Sequence, residues 1–162
     1  MGTLTVQRKT LGFILFYTLM ATITTPAQEF HNPPALFDPT PYAFSHAAEA
    51  PATGSYVFIS GQSGRDDNSG AYSLDFRNQV QNSLKHLMVV LSDYDLVPEN
   101  IVKITVLIVD HSSEKLQIWS EEMHKVWDPK KFPTSTLIPV PRLASDGMLF
   151  EVDAIAYRPP KP

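Results

Sequence analysis

The sequence contains no cysteine, which removes disulfides, thiolate catalysis and Cys-ligated zinc or iron–sulfur sites together. Positive charge is also scarce. With 13 Lys and Arg against 17 Asp and Glu, the net charge is −4, so no basic field holds a polyanion and nucleic acid is not an expected partner. His86, His111 and His124 lack the i, i+4 pairing and the neighbouring carboxylates of a metal site. The stretch "GQSG" has no helix start after it, so it reads as a turn and not a phosphate loop. No metal and no cofactor is expected. What is present, 162 residues with 43% hydrophobic and 19% charged side chains and no low-complexity tract, amounts to one ordinary globular domain plus tails.

The amino terminus has the tripartite layout of a secretory signal: Arg8 and Lys9, a mainly apolar run from Leu11 to Ile23, then small residues to Ala27. That run is shorter than the about 20 residues that cross a bilayer. Residues 1–27 are therefore expected to be a signal peptide, cleaved near Ala27, that sends the protein to a periplasm or the outside with no stable membrane span. Residues 28–41 are proline-rich without periodicity and read as an extended arm. The domain proper is expected over 42–158, with 159–162 as a tail.

Within the domain, "SYVFISGQ" is a short apolar strand followed by turn residues, and a hairpin is expected around residues 44–73. Phe76, Val80, Leu84, Leu87, Met88 and Leu91 recur at helical spacing behind Asp75, a natural cap. The run "IVKITVLIVD" is β-branched and apolar enough for a central strand. Leu116, Trp119, Met123 and Val126 form a second helical stripe, capped by Ser112 or Ser113, and Trp119 and Trp127 are expected to pack against the sheet. Two strands close the chain, "TSTLIPVP" and "MLFEVDAIAY". The order predicted is ββαβαββ, an α+β sandwich with both helices on one face of a sheet.

The first of those last strands carries Pro139 and, just beyond, Pro141. Residues two apart point their N–H groups to the same edge, so the prolines strip donors from one side only. That side is expected to be unpaired. Alternation places Ser135, Leu137 and Pro139 on one face and Thr136, Ile138 and Val140 on the other. A blunted edge beside an apolar face suits a closed oligomer.

Six segments, "FSHA", "VFISGQSG", "DFRNQVQNSLKHLMVVL", "VKITVLIVD", "FPTSTLIPVPRL" and "GMLFEVDAIA", resemble the Rid family of YjgF-type enamine/imine deaminases in order and spacing over about residues 42–158. The resemblance implies a chorismate-mutase-like α+β fold and a homotrimer with a small-molecule cleft at each subunit interface. It also implies a site. Glu151 stands where the family's glutamate positions the attacking water, and Ser60 and Gly61 match the family's serine and glycine. The carboxylate-clamping arginine position falls on Ser135, and the family's cleft tyrosine on Phe44, with Tyr42 two residues away. His46, in "FSHA", reads as a hydrogen-bonding residue at the cleft rim.

Serine is neutral and too short to replace a bidentate guanidinium clamp, whose two charge-assisted bonds contribute roughly 1.5–3 kcal/mol each. The implied pocket suits a neutral or cationic small molecule better than an anion, unless Arg65 or Arg142 enters it from another direction. Two readings follow. One is an exported hydrolase acting on enamines, imines or related compounds through Glu151 and water; the other is a non-catalytic trimeric binding or interaction protein on the same fold. A Ser135–His46–Glu151 triad is a weaker reading, because no G-x-S-x-G turn surrounds Ser135.

Overall fold

The computed structural model describes Gly2 and residues 27–161, so the expected signal segment lies almost wholly outside the described residues. Strands β1 (Glu29–His31), β2 (Ala47–Glu49) and β3 (Ser55–Ser63) come first, then helix α1 (Phe76–Asp93), β4 (Ile101–Val109), α2 (Ser113–Val126), β5 (Thr134–Val140) and β6 (Phe150–Arg158). Four strands form one sheet in the order β3-β6-β4-β5, with β4 and β5 parallel and the other pairs antiparallel. The α+β class and the two expected helices are as the patterning predicts. Strand β5 is an edge, paired with β4 alone, and Pro139 sits on it opposite Ile108.

The expected hairpin over residues 44–73 does not form as drawn. Strand β2 pairs antiparallel with β1 of the arm, setting Phe30 against Ala48, while β3 pairs with β6. The cause is local. Pro51 follows β2, and Gly54 takes a left-handed φ of 98°, so the chain turns out of the line of β2 before β3 begins. After β3 the chain folds back at the single bridge Arg65–Tyr72.

Both helices begin at side-chain caps: Asp75 accepts from Asn78 N at 3.2 Å, and Ser112 Oγ accepts from Lys115 N at 3.2 Å. Helix α1 buries Phe76, Val80, Leu84, Leu87 and Leu91 and leaves Met88 half-buried. It stops where Asp95 adopts φ of 58° and Leu96 N donates back to Leu91 O. Beneath the helices lie Ile104, Val106 and Ile108 of β4 and Val152 and Ala154 of β6, all essentially inaccessible. Trp119 of α2 tilts onto Phe150 at 5.2 Å between ring centroids, and Phe76 meets the same ring edge-on at 5.8 Å. Burying each such side chain stabilises the fold by roughly 1.5–3 kcal/mol.

Two polar residues tie this layer together. Gln79, fully buried, donates to the carbonyls of Ser73 and Gly147 and accepts from Leu149 N, stitching α1 to the loops at the ends of the sheet. Glu122, also buried, receives Arg77 at 2.6 Å, Lys125 at 2.7 Å and Gln81 at 3.2 Å, which clips α2 to α1. Burial works against its charge. The hydrogen bonds from Lys125, Arg77 and Gln81 outweigh that and hold its carboxyl below the ordinary glutamate range.

The other face of the sheet carries no helix. Register places Phe58 beside Ile155, and Leu107 beside both Ile138 and Glu151, on this open side. Phe58 is 77% exposed there. Among the described residues no helix is long and apolar enough to cross a membrane.

Candidate functional site

Ser135 pairs across the sheet with Ile104, a core residue, so it points to the helix side of the edge strand. Leu137 follows on the same side. Together with Leu116 and Trp119 of α2 they form the floor and back wall of a cleft of about 510 Å³. Its mouth is aromatic: Phe37 comes from the arm, Tyr42 from a single 3-10 turn (Thr40–Tyr42), and Phe44 from the segment after it. Phe37 meets Tyr42 at 6.1 Å and 83°, and Phe44 at 5.9 Å and 67°, both edge-to-face.

His46 stands behind this mouth and does not line it. Its ring contacts Phe37 at 5.0 Å and Phe44 at 5.5 Å, its Nε2 donates to the Phe37 carbonyl at 2.9 Å, and its backbone N–H donates to Asn32 Oδ1 at 2.8 Å. It therefore positions the arm.

Glu151 lies elsewhere. It pairs with Leu107 and Ser63, three positions along β4 from the Ile104 that faces the helices, and so projects from the open side of the sheet. Its carboxylate packs on Gly61: a Cβ at that glycine would stand 1.8 Å from Glu151 Oε1. The room for this contact comes from a bulge in β3, where the register slips by one residue between Ile59 and Gln62, at Ser60 and Gly61. Ser60, Gly61, Thr105 and Asp153 line a shallow depression on this face. The sequence pattern thus names two half-sites. Ser135, Phe44 and the His46 support belong to the cleft, and Ser60, Gly61 and Glu151 to the open face. Within one chain a Ser135–His46–Glu151 triad does not assemble.

Within one chain, neither arginine lines the cleft. Arg65 donates through Nε to the Gly70 carbonyl at 2.6 Å in the loop after β3, and Arg142 faces Asp146 at 3.5 Å on the surface. Among the described residues the cleft lining holds no Lys or Arg, and no group of three or more His, Asp or Glu that could hold a metal ion occurs. Sequence reasoning missed Phe37, Leu116 and Asp153 as lining residues and assigned Trp119 to packing alone, although it does both. A signal for Phe37 exists: "LFDPTPYAF" sets three aromatics within eight positions of a segment with no periodicity to bury them.

The comparisons with known proteins agree with this architecture. A profile of the family described as Endoribonuclease L-PSP matches residues 39–158. The structure is similar to that of YyfB from Yersinia pestis, a conserved Rid-family protein, with a TM-score of 0.76 and 26% identity over 82% of this chain and 99% of that one. It is similar to E. coli TdcF with bound serine, with a TM-score of 0.57 and 26% identity over 73% of this chain and 94% of that one. RidA from the Antarctic bacterium Psychrobacter sp. PAMC 21119, at 19% identity and a TM-score of 0.58 over 72% of this chain and 94% of that one, shares the fold. No curated protein matches the sequence significantly. With the profile matching residues 39–158 and the fold shared with YyfB, the chain belongs to the Rid family, the family of the Endoribonuclease L-PSP profile.

Proposed function

We propose that this protein hydrolyses small imines or enamines that carry no carboxylate, in clefts completed between copies of the chain. The observation that carries the reading is the cleft lining: four aromatic residues, two leucines and Ser135, with no cation to grip an acid. The position that would hold the family's clamping arginine is serine. TdcF, a relative, is known with serine bound, which supports a small-molecule site on this fold.

The chemistry asks little of the protein. A protonated C=N carbon is already electrophilic. Glu151 takes a proton from water as the water oxygen bonds to that carbon, and the π electrons move to nitrogen. Glu151 passes that proton to the carbinolamine nitrogen, the C–N bond breaks, and amine or ammonia leaves as the hydroxyl proton returns to Glu151 and the carbonyl forms. Glu151 must then face a neighbouring cleft. Three copies that bury their open faces, each led by the exposed Phe58, would bring Glu151 of one beside the β5 edge of the next.

The family's printed name speaks of RNA cleavage. A cleft without Lys or Arg offers nothing to a phosphate backbone, and Glu151 and Asp153 put negative charge on the open face, so the imine reading is preferred. Export is part of the proposal, supported by Arg8, Lys9 and the apolar run after them. A binding protein without turnover is the second reading. It is favoured by the separation of Ser135 and Glu151 onto opposite faces within a chain.

The test is hydrolysis of freshly generated imines of simple amines against 2-imino acids. Wild type is expected to act on the former, and Glu151→Gln to lose most of that turnover. Ser135→Arg is expected to improve 2-imino acid hydrolysis by roughly 10²-fold, the value of a restored ion-paired clamp. Unchanged turnover in Glu151→Gln would sink the mechanism and leave the binding reading.

A further inference from the structure

Phe37 lies on the arm, outside the family match, which starts at residue 39. A large ring 59% exposed to solvent would ordinarily be mobile or folded away, yet this one touches three other rings and sits on a tethered backbone. The β1–β2 pairing anchors the start of the arm, Leu36 N bonds Pro33 O at 3.0 Å, and Asp38 caps the next turn through Thr40 N at 3.0 Å and Thr40 Oγ1 at 2.7 Å. His46 holds the Phe37 carbonyl and packs against its ring. Such a fixed, exposed ring at the mouth of a cleft serves the ligand more than the core.

We infer that Phe37 is a specificity-determining residue that makes the cleft mouth an aromatic cage for organic cations, namely alkylated or protonated amines and iminium ions. The physical basis is the ring quadrupole. Phe37 stands at 83° to Tyr42 and 67° to Phe44, so a cation seated at the mouth meets rings of more than one orientation. Within one chain no charged side chain lines the cleft to compete, the neutral Ser135 hydroxyl at the back tolerates positive charge, and the Glu151 carboxylate that the proposed assembly brings in would favour it. The inference rests on the proposal that this cleft is the ligand site. It deepens that proposal, because the reactive form of an imine is itself a cation.

Calorimetric titration of the full chain with benzyltrimethylammonium, benzyl alcohol and benzoate separates the ideas, since the three share a ring and differ in charge. Wild type is expected to bind them in that order of decreasing affinity. Phe37→Ala should weaken benzyltrimethylammonium about 5- to 10-fold and the alcohol only about 2-fold, while Phe37→Tyr keeps wild-type affinity. Phe37→Leu retains bulk without a π-face and should lose as much, which guards against collapse of the arm in the alanine variant. If the ranking holds but Phe37→Ala and Phe37→Leu leave the ammonium affinity unchanged, or weaken all three probes equally, the inference fails and the proposed cleft stands. Tightest binding of benzoate by wild type, or binding of none of the three at millimolar concentration, overturns both.

Discussion

Two glycines near the bulge of β3 show how much the neighbouring atom decides. At Gly61 an added Cβ meets the flexible end of Glu151, whereas at Gly64 it would stand 2.3 Å from the backbone Cα of Gln79. A side chain can swing away; a helix cannot. Gly61→Ala is therefore expected to melt within a few degrees of wild type, since alanine in a strand recovers about 0.5–1 kcal/mol of chain entropy, while turnover falls because the carboxylate is displaced. Gly64→Ala pushes on α1 where Gln79 is held by three hydrogen bonds. It should cost roughly 2–3 kcal/mol, read as a lower urea midpoint with unchanged slope.

At the scale of elements, one buried charge, Glu122, joins α1 to α2 beside the more exposed Arg77–Glu121 pair at 2.8 Å. Because Glu122 has its carboxyl held below the ordinary glutamate value, its ionised form stabilises the fold above the unfolded value near 4.3 and that contribution is lost as pH falls through the lower, folded value. Glu122→Gln removes the titration. Denaturation curves taken between neutral pH and about pH 3 should converge for wild type and variant as the pH drops, with wild type ahead at neutrality. Glu122→Ala is expected to cost roughly 1–2 kcal/mol at pH 7, since Arg77 and Lys125 reach solvent and regain water when released. Parallel curves across that range would show that the clip does not respond to its charge.

For the whole molecule, the uncovered sheet face is the surface on which the proposed assembly rests. Phe58, Leu107, Ile138 and Ile155 lie on it with no helix above them, and the edge at β5 is blunted by Pro139. Face-to-face burial among copies would satisfy that surface, and proline discourages open-ended strand addition. In the proposed trimer, Phe58→Asp is expected to release monomers, read by light scattering, with the helical signal intact, because an exposed residue contributes little to the isolated fold. On the proposed mechanism, imine hydrolysis should fall with the assembly, because Ser135 and Glu151 stand on opposite faces of the sheet within one chain. A monomer that retains full turnover would contradict the interfacial cleft.

What could be read from the sequence is what short-range physics controls. Stripes at helical spacing, Asp75 and the Ser112–Ser113 pair as caps, the apolar run of β4 and Pro139 of β5 each depend on neighbours a few residues away, so their pattern survives in one dimension. The segments that carry the family likeness were legible for the same reason. Tertiary structure alone decided that β2 joins the arm, that Gln79 is a buried polar knot, that Phe37 reaches the cleft, and that Ser135 and Glu151 stand on opposite faces. Side-chain alternation names two faces for every strand. Which face the helices cover, and which strand lies beside which, depends on pairing between residues far apart in the chain, and no local period records it.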